Sequence, residues 1–298
     1  MLHRIEIAKA AAMRFSSGSD FKSLPRKVVT VLGMSGVGKT TLASLLIEHG
    51  WFQYSVDYRI GTRYMDEHIV DNFKREAMKN PFLRDLLKSD SIYIRSNITF
   101  NNLAPLSTYL GKPGNPALGG IPFAEYKRRQ AQHREAEIRA LMDVPEFITR
   151  AHDIYQYEHF ICDSGGSLCE VVNPDDLNDP VLRALADNTA LLYIEGTPEH
   201  LSMLVERFRK HPKPMYYQPA FLDAKWAEYK DLNKIKDDDT VNPDGFAVWG
   251  FEQLLHHRIP LYAKIAKNFG HTVRMRDIPH IKTEEDFVTL VSQAIAKA

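Results

Sequence analysis

Lys27–Thr40 reads KVVTVLGMSGVGKT, and this stretch decides the fold. Val28, Val29, Val31 and Leu32 make a short apolar run, suited to a strand buried on both faces of a parallel sheet. Gly33-Met34-Ser35-Gly36-Val37-Gly38-Lys39-Thr40 then fits the pattern G-x-x-x-x-G-K-[ST]. Glycines let the backbone curl so that successive N–H groups point inward, and the helix predicted over Thr40–Glu48 adds partial positive charge at the end of the loop. Such a loop cradles phosphates. Lys39 would reach the β- and γ-phosphate oxygens, and the Thr40 hydroxyl would coordinate Mg²⁺. Gly33, Ser35, Gly36, Val37, Gly38, Lys39, Thr40 and Thr41 are therefore the candidate residues of a nucleoside triphosphate site, with ATP and Mg²⁺ as the expected cofactors.

Outward from the loop, the pattern alternates between strand and helix. Phe52–Val56, His159–Cys162, Ala190–Ile194 and His271–Met275 read as further strands. Thr40–Glu48, Pro198–Lys210 and Glu252–Asn268 have helical spacing of apolar residues. This alternation predicts an α/β P-loop NTPase fold of three layers around a five-stranded parallel sheet. The stretch between the second and third strands is too long for a simple loop. It carries helical patterns at Asp66–Met78, Pro122–Met142 and Pro145–Tyr155 and a Gly/Pro-rich hinge at Gly111–Pro122, so residues 61–157 are expected to be an inserted helical subdomain. The expected core is then 26–60 and 158–298, with residues 1–25 as an arm whose Leu2–Phe15 is amphipathic. Lys127, Arg128, Arg129, Arg134 and Arg139 in the second helical pattern read first as a solvated face, balanced by Glu125, Glu135 and Glu137. A basic wall over a phosphate site is the alternative.

The chain has 298 residues, with 38 Lys or Arg and 38 Asp or Glu, for a formal net charge of zero. That balance speaks against a nucleic-acid binder or a polybasic membrane binder. No apolar run approaches the roughly 18 residues a membrane helix needs. The two cysteines, Cys162 and Cys169, lack metal-site spacing and fit a reducing cytoplasm. The expected partner is a small-molecule acceptor, and a homodimer is compatible with the sequence.

Two carboxylates follow predicted strands: Asp57 after the second, Asp163 at the end of the third. In an open α/β sheet the ligand sits beyond the carboxyl ends of the strands, so both would face the crevice beside the loop. One would help hold Mg²⁺ through water, and the other would orient or deprotonate an acceptor hydroxyl. The plain alternative for each is a turn or capping carboxylate.

The loop, Asp57 with Ile60, Ser164-Gly165-Gly166, Leu192-Tyr193-Ile194-Glu195 and the string Arg258-Ile259-Pro260-Leu261-Tyr262-Ala263-Lys264-Ile265-Ala266 occur in an order that resembles shikimate kinase and its small-molecule kinase relatives. The resemblance covers roughly the core and leaves the insertion unexplained. It implies transfer of a γ-phosphoryl group from Mg·ATP to a hydroxyl of a small polar metabolite, carboxylated in that family. It nominates Asp57 for the acceptor hydroxyl, Gly165 and Gly166 for the same molecule, and Arg258 for its carboxylate. It also implies a lid near 207–245, where Lys213 and Arg209 would neutralise developing charge and Arg207 would lie near the nucleotide base.

Departures from the family are equally plain. Ser55 stands where a first strand-two aspartate is usual, which brings Asp163 forward as the second metal candidate beside Thr40. A second acceptor-binding arginine has Arg59, Arg63, Arg75 and Arg95 as candidates, with Arg63 carried forward. Two other readings compete. A nucleoside or nucleotide kinase could stack a base on Tyr54, Tyr58 or Tyr64, and a regulatory ATPase would hydrolyse ATP without an acceptor. His256, His257, His271 and His280 read as solvent or capping residues, since adjacent helix positions point about 100° apart.

Overall fold

A computed structural model describes residues 17–297. The amphipathic segment Leu2–Phe15 lies outside them. The described residues form β1 (Val28–Leu32), β2 (Trp51–Ser55), β3 (His159–Asp163), β4 (Ala190–Glu195) and β5 (His271–Arg274), joined in one five-stranded sheet of order β2-β3-β1-β4-β5. The pairings of β1 with β3 and β4, and of β4 with β5, are parallel. Register sets Val31 beside Asp163 on one side and Leu192 on the other, so the strand that feeds the glycine loop is central. This is the P-loop NTPase arrangement expected from the alternation of strands and helices.

Before, between and after the strands lie α1 (Gly18–Ser23), α2 (Lys39–Glu48), α3 (Val56–Arg59), α4 (Asp66–Ala77), α5 (Pro81–Lys88), α6 (Ala104–Leu110), α7 (Phe123–Met142), α8 (Val144–Asp153), α9 (Pro180–Ala186), α10 (Pro198–Lys210), α11 (Pro219–Leu232), α12 (Pro243–Phe269) and α13 (Glu284–Ala296). α2 and α8 pack on β3, α9 on β4 and α13 on β5. Val29, Val31, Leu32, Ile161, Cys162, Leu191 and Ile194 are almost fully buried, as unbroken apolar strands require.

The chain packs as two units. Among the described residues, one holds 17–54, 141–201 and 257–297; the other holds Ser55–Ala140 and Ser202–His256. The first carries the sheet. Residues 141–157, read from sequence with the insertion, belong to it: Phe147 of α8 lies 4.9 Å, ring to ring, from Tyr54 of β2. The second unit has its own core, in which Tyr126, Tyr217, Leu222, Trp226, Phe246 and Leu254 meet. Phe246 sits edge-on to Trp226 at 4.8 Å and to Tyr229 at 5.5 Å.

α12 starts at Pro243, well before the Glu252 that apolar spacing marks. Proline suits the first helical turn, while Gly245 and Gly250 hide the helix from a propensity reading. A Cβ on Gly245 would lie 2.6 Å from the Tyr229 hydroxyl, and one on Gly250 would lie 2.7 Å from that of Tyr217. Packing, not chain reversal, requires those glycines.

Candidate active site

The loop after β1 turns through three residues at positive φ: Gly33 at 140°, Gly36 at 85° and Gly38 at 102°. A side chain at Gly33 is excluded twice, by its φ and because a Cβ would come within 2.8 Å of the Ile194 carbonyl oxygen, which belongs to β4. Val37 is buried and anchors the loop, while Ser35 and Gly36 are exposed at its tip. Lys39 opens α2 and is only 6% exposed. Its ammonium donates to the carbonyls of Gly33 at 2.9 Å and Met34 at 3.0 Å. The cation is thus folded over the concave face of a loop at a helix N-terminus, where the helix dipole also favours an anion.

Thr40 follows, and its hydroxyl donates to Oδ2 of Asp163 at 2.9 Å. Asp163 is the last residue of β3, and its other oxygen accepts from the Gly165 amide at 3.2 Å. A hydroxyl and a carboxylate so placed are the hard oxygen donors that Mg²⁺ takes, one direct and one through water. Among the described residues no group of three or more His, Cys, Asp or Glu could hold a metal without further ligands. Phosphate oxygens and water would have to complete the shell. Thr41 is exposed on α2.

The turn after Asp163 adjoins this loop. Gly165 has φ 73°, and a Cβ built on Gly166 would sit 3.5 Å from the Ser35 nitrogen, so the two backbones run side by side. Arg258, on α12, reaches the same turn. It is 2% exposed, and it donates through Nη1 to the Gly166 carbonyl at 2.8 Å and through Nε to Glu170 Oε1 at 2.9 Å. His257 Nε2 lies 3.5 Å from the other Glu170 oxygen. Burial pushes the Glu170 carboxyl up, but the charge of Arg258 and the bonds from His257 and Arg258 outweigh it and leave the group below the ordinary glutamate value. Burial acts downward on Arg258, and the Glu170 carboxylate more than restores it. The resemblance nominates Arg258 for an acceptor's carboxylate; in the structure its guanidinium pairs with the buried Glu170. Glu170 escaped that reading altogether, although a carboxylate inside Leu168-Cys169-Glu170-Val171-Val172 is a signal for a buried ion partner.

A cavity of about 480 Å³ opens beside Met34 of the loop, with Glu195, Thr197, Arg274 and Arg276 among its lining residues. A larger one, of about 920 Å³, runs along β5 and α13 and does not touch the loop.

The other candidates belong to the second unit. Asp57 is half-buried in the first turn of α3, whose N-cap is Ser55, the hydroxyl of which accepts from the Tyr58 amide at 3.3 Å. The strand therefore ends before Asp57. Arg63 is exposed on a single π-helical turn, Ile60–Tyr64, a distortion common at functional positions. Arg207 and Arg209 lie in the exposed last turn of α10. Arg209 donates to Glu206 at 2.9 Å and to Glu252 at 2.5 Å. Lys213 is exposed in an extended segment, 211–218. One face of α7 grips that segment. Tyr126 and Gln130 donate to the Met215 carbonyl at 2.8 and 3.1 Å, Gln130 accepts from the Tyr217 amide at 2.9 Å, and His133 stacks on Tyr216 at 4.9 Å. Four of the five bases of α7 are paired: Arg128 and Arg129 with Glu125, Arg139 with Glu135 and Lys127 with Asp223. Those four charges are offset on the helix surface or against α11. Of the aromatics that could stack a base, Tyr54 is 4% exposed and Tyr58 is already stacked on Phe100 at 4.5 Å.

No family model matches the chain, and no curated protein matches it. The solved structures similar to it include two shikimate kinases. A shikimate kinase from Bacteroides thetaiotaomicron is 13% identical with a TM-score of 0.39, over 91% of this chain and 97% of that one. A shikimate kinase from Acinetobacter baumannii in complex with shikimate is 17% identical with a TM-score of 0.36, over 94% and 95%. Both TM-scores fall below 0.5.

Proposed function

We propose that the protein is an ATP-dependent phosphotransferase that moves the γ-phosphoryl group of Mg·ATP to a hydroxyl of a small polar metabolite. One observation carries this reading: the Lys39 ammonium is held over a glycine loop at a helix N-terminus, with Thr40 already paired to a strand-end carboxylate, Asp163. Lys39 and the loop amides would hold the β- and γ-phosphates. Thr40 would hold the metal, with Asp163 acting through water, and bound Mg²⁺ would neutralise charge on the phosphate oxygens. The cavity beside Met34 has room for the rest of the nucleotide. Asp57 would orient the acceptor hydroxyl, with Arg63 as a further acceptor contact. Lys213 and Arg209 would meet charge that spreads over the transferring group, and Arg207 would lie near the base.

A metabolite pool incubated with the protein and Mg·ATP, read by mass spectrometry, tests the proposal. A phosphorylated product that disappears with Lys39→Ala is the expected result. ATP hydrolysis without any product would favour the regulatory ATPase, and no consumption of ATP would refute both.

A further inference from the structure

The Glu170 and Arg258 side chains are 0% and 2% exposed. Buried ion pairs seldom repay their desolvation better than apolar residues of the same volume would, so the question is what this one holds in place. The Arg258 guanidinium spends Nε on Glu170 and Nη1 on the Gly166 carbonyl. Gly166 runs beside Ser35 of the phosphate loop. Three residues earlier, Asp163 receives the Thr40 hydroxyl. The turn Asp163–Gly166 is thus fixed at one end by the loop's threonine and at the other by Arg258.

We propose that Arg258, held by Glu170, is a positioning residue for the phosphate loop, and that Glu170 occupies the place an acceptor's carboxylate would need. The acceptor is then a hydroxyl compound that carries no carboxylate where it meets Arg258. A carboxylate that paired with the Nε edge of the guanidinium would displace Glu170 and leave a buried carboxylate uncompensated beside a second one. The inference rests on the phosphate-site reading above.

The test measures affinity for a fluorescent ATP analogue, with and without Mg²⁺, in the full chain. Arg258→Lys keeps the charge but cannot bridge both partners; Glu170→Gln keeps the shape but removes the charge. Each is expected to bind about tenfold more weakly, within the range that coupled networks show. The double variant should bind no more weakly than either single one, because the pair acts as a unit. Should Arg258→Lys fail to fold, Glu170→Gln, which keeps shape and volume, carries the same test. Wild-type affinity in a folded Arg258→Lys or Glu170→Gln protein would overturn the positioning role. A product phosphorylated on a hydroxy acid, with only its KM raised by Arg258→Lys, would overturn the acceptor class. If the wild-type protein itself binds no nucleotide, and Lys39→Ala behaves identically, the phosphate-site reading falls first and this inference with it.

Discussion

The glycine loop at Gly33–Thr40 and the basic stretch at Arg207–Lys213 both present cations, yet the chain builds them by opposite means. Lys39 is 6% exposed and is aimed by two backbone carbonyls within six residues of it. Arg209 is half exposed, and one of its two carboxylate partners, Glu252, is 43 residues away. A cation held by carbonyls in a strained glycine turn is pre-organised and costs nothing to reorient when an anion arrives. One held by surface carboxylates is screened and must exchange partners. The first arrangement suits a fixed cradle and the second suits a group that engages late.

Substitutions can break or sharpen that contrast. Lys39→Ala should lower turnover by about 10²–10³-fold or more while the melting temperature stays near that of the wild type; product formation checks it. Glu170→Ala removes one partner of a buried pair and should cost about 3–5 kcal/mol in urea unfolding. Because the Glu170 carboxyl lies below its ordinary value of 4.5 in the fold, the stability it supplies is present above that value and is lost as pH falls through the lowered one. The gap between wild type and Glu170→Gln should thus stay flat from neutrality down to about pH 5 and close at lower pH. Arg209→Ala should slow turnover by only about tenfold, since its charge is half exposed, with no measurable shift of the urea midpoint. An effect as large as that of Lys39→Ala would erase the contrast. Tyr126→Phe removes a single hydrogen bond to Met215 and should cost about 1 kcal/mol. A much larger loss would show the segment after α10 to be as rigid as the loop.

What was legible in the sequence follows the range of the contacts. The five strands and the glycine loop could be read because apolar runs and an eight-residue motif are local signals. Asp163 could be named because it ends a short apolar strand, as it does in the fold. Asp57 was placed at a strand end, whereas Ser55 caps a helix there; a serine three residues before Tyr58 carries that signal, but the aromatic run over Phe52–Val56 masks it. Arg258 was nominated by the resemblance, and its partner Glu170 was not read because it lies 88 residues earlier. The start of α12 was hidden by glycines whose purpose is to admit two tyrosine hydroxyls. The last two concern partners brought in by tertiary packing, which no window of sequence contains.

The grip of α7 on Met215–Tyr217 has a consequence for how such a chain can change. Helix and segment are about 85 residues apart in sequence, yet Tyr126, Gln130 and His133 supply bonds and a ring face that the segment does not provide for itself. The two stretches are therefore heritable only as a pair. Trimming 61–140 to make a smaller protein would also orphan the backbone of 215–217, and lengthening that segment would need a matching change on one face of α7.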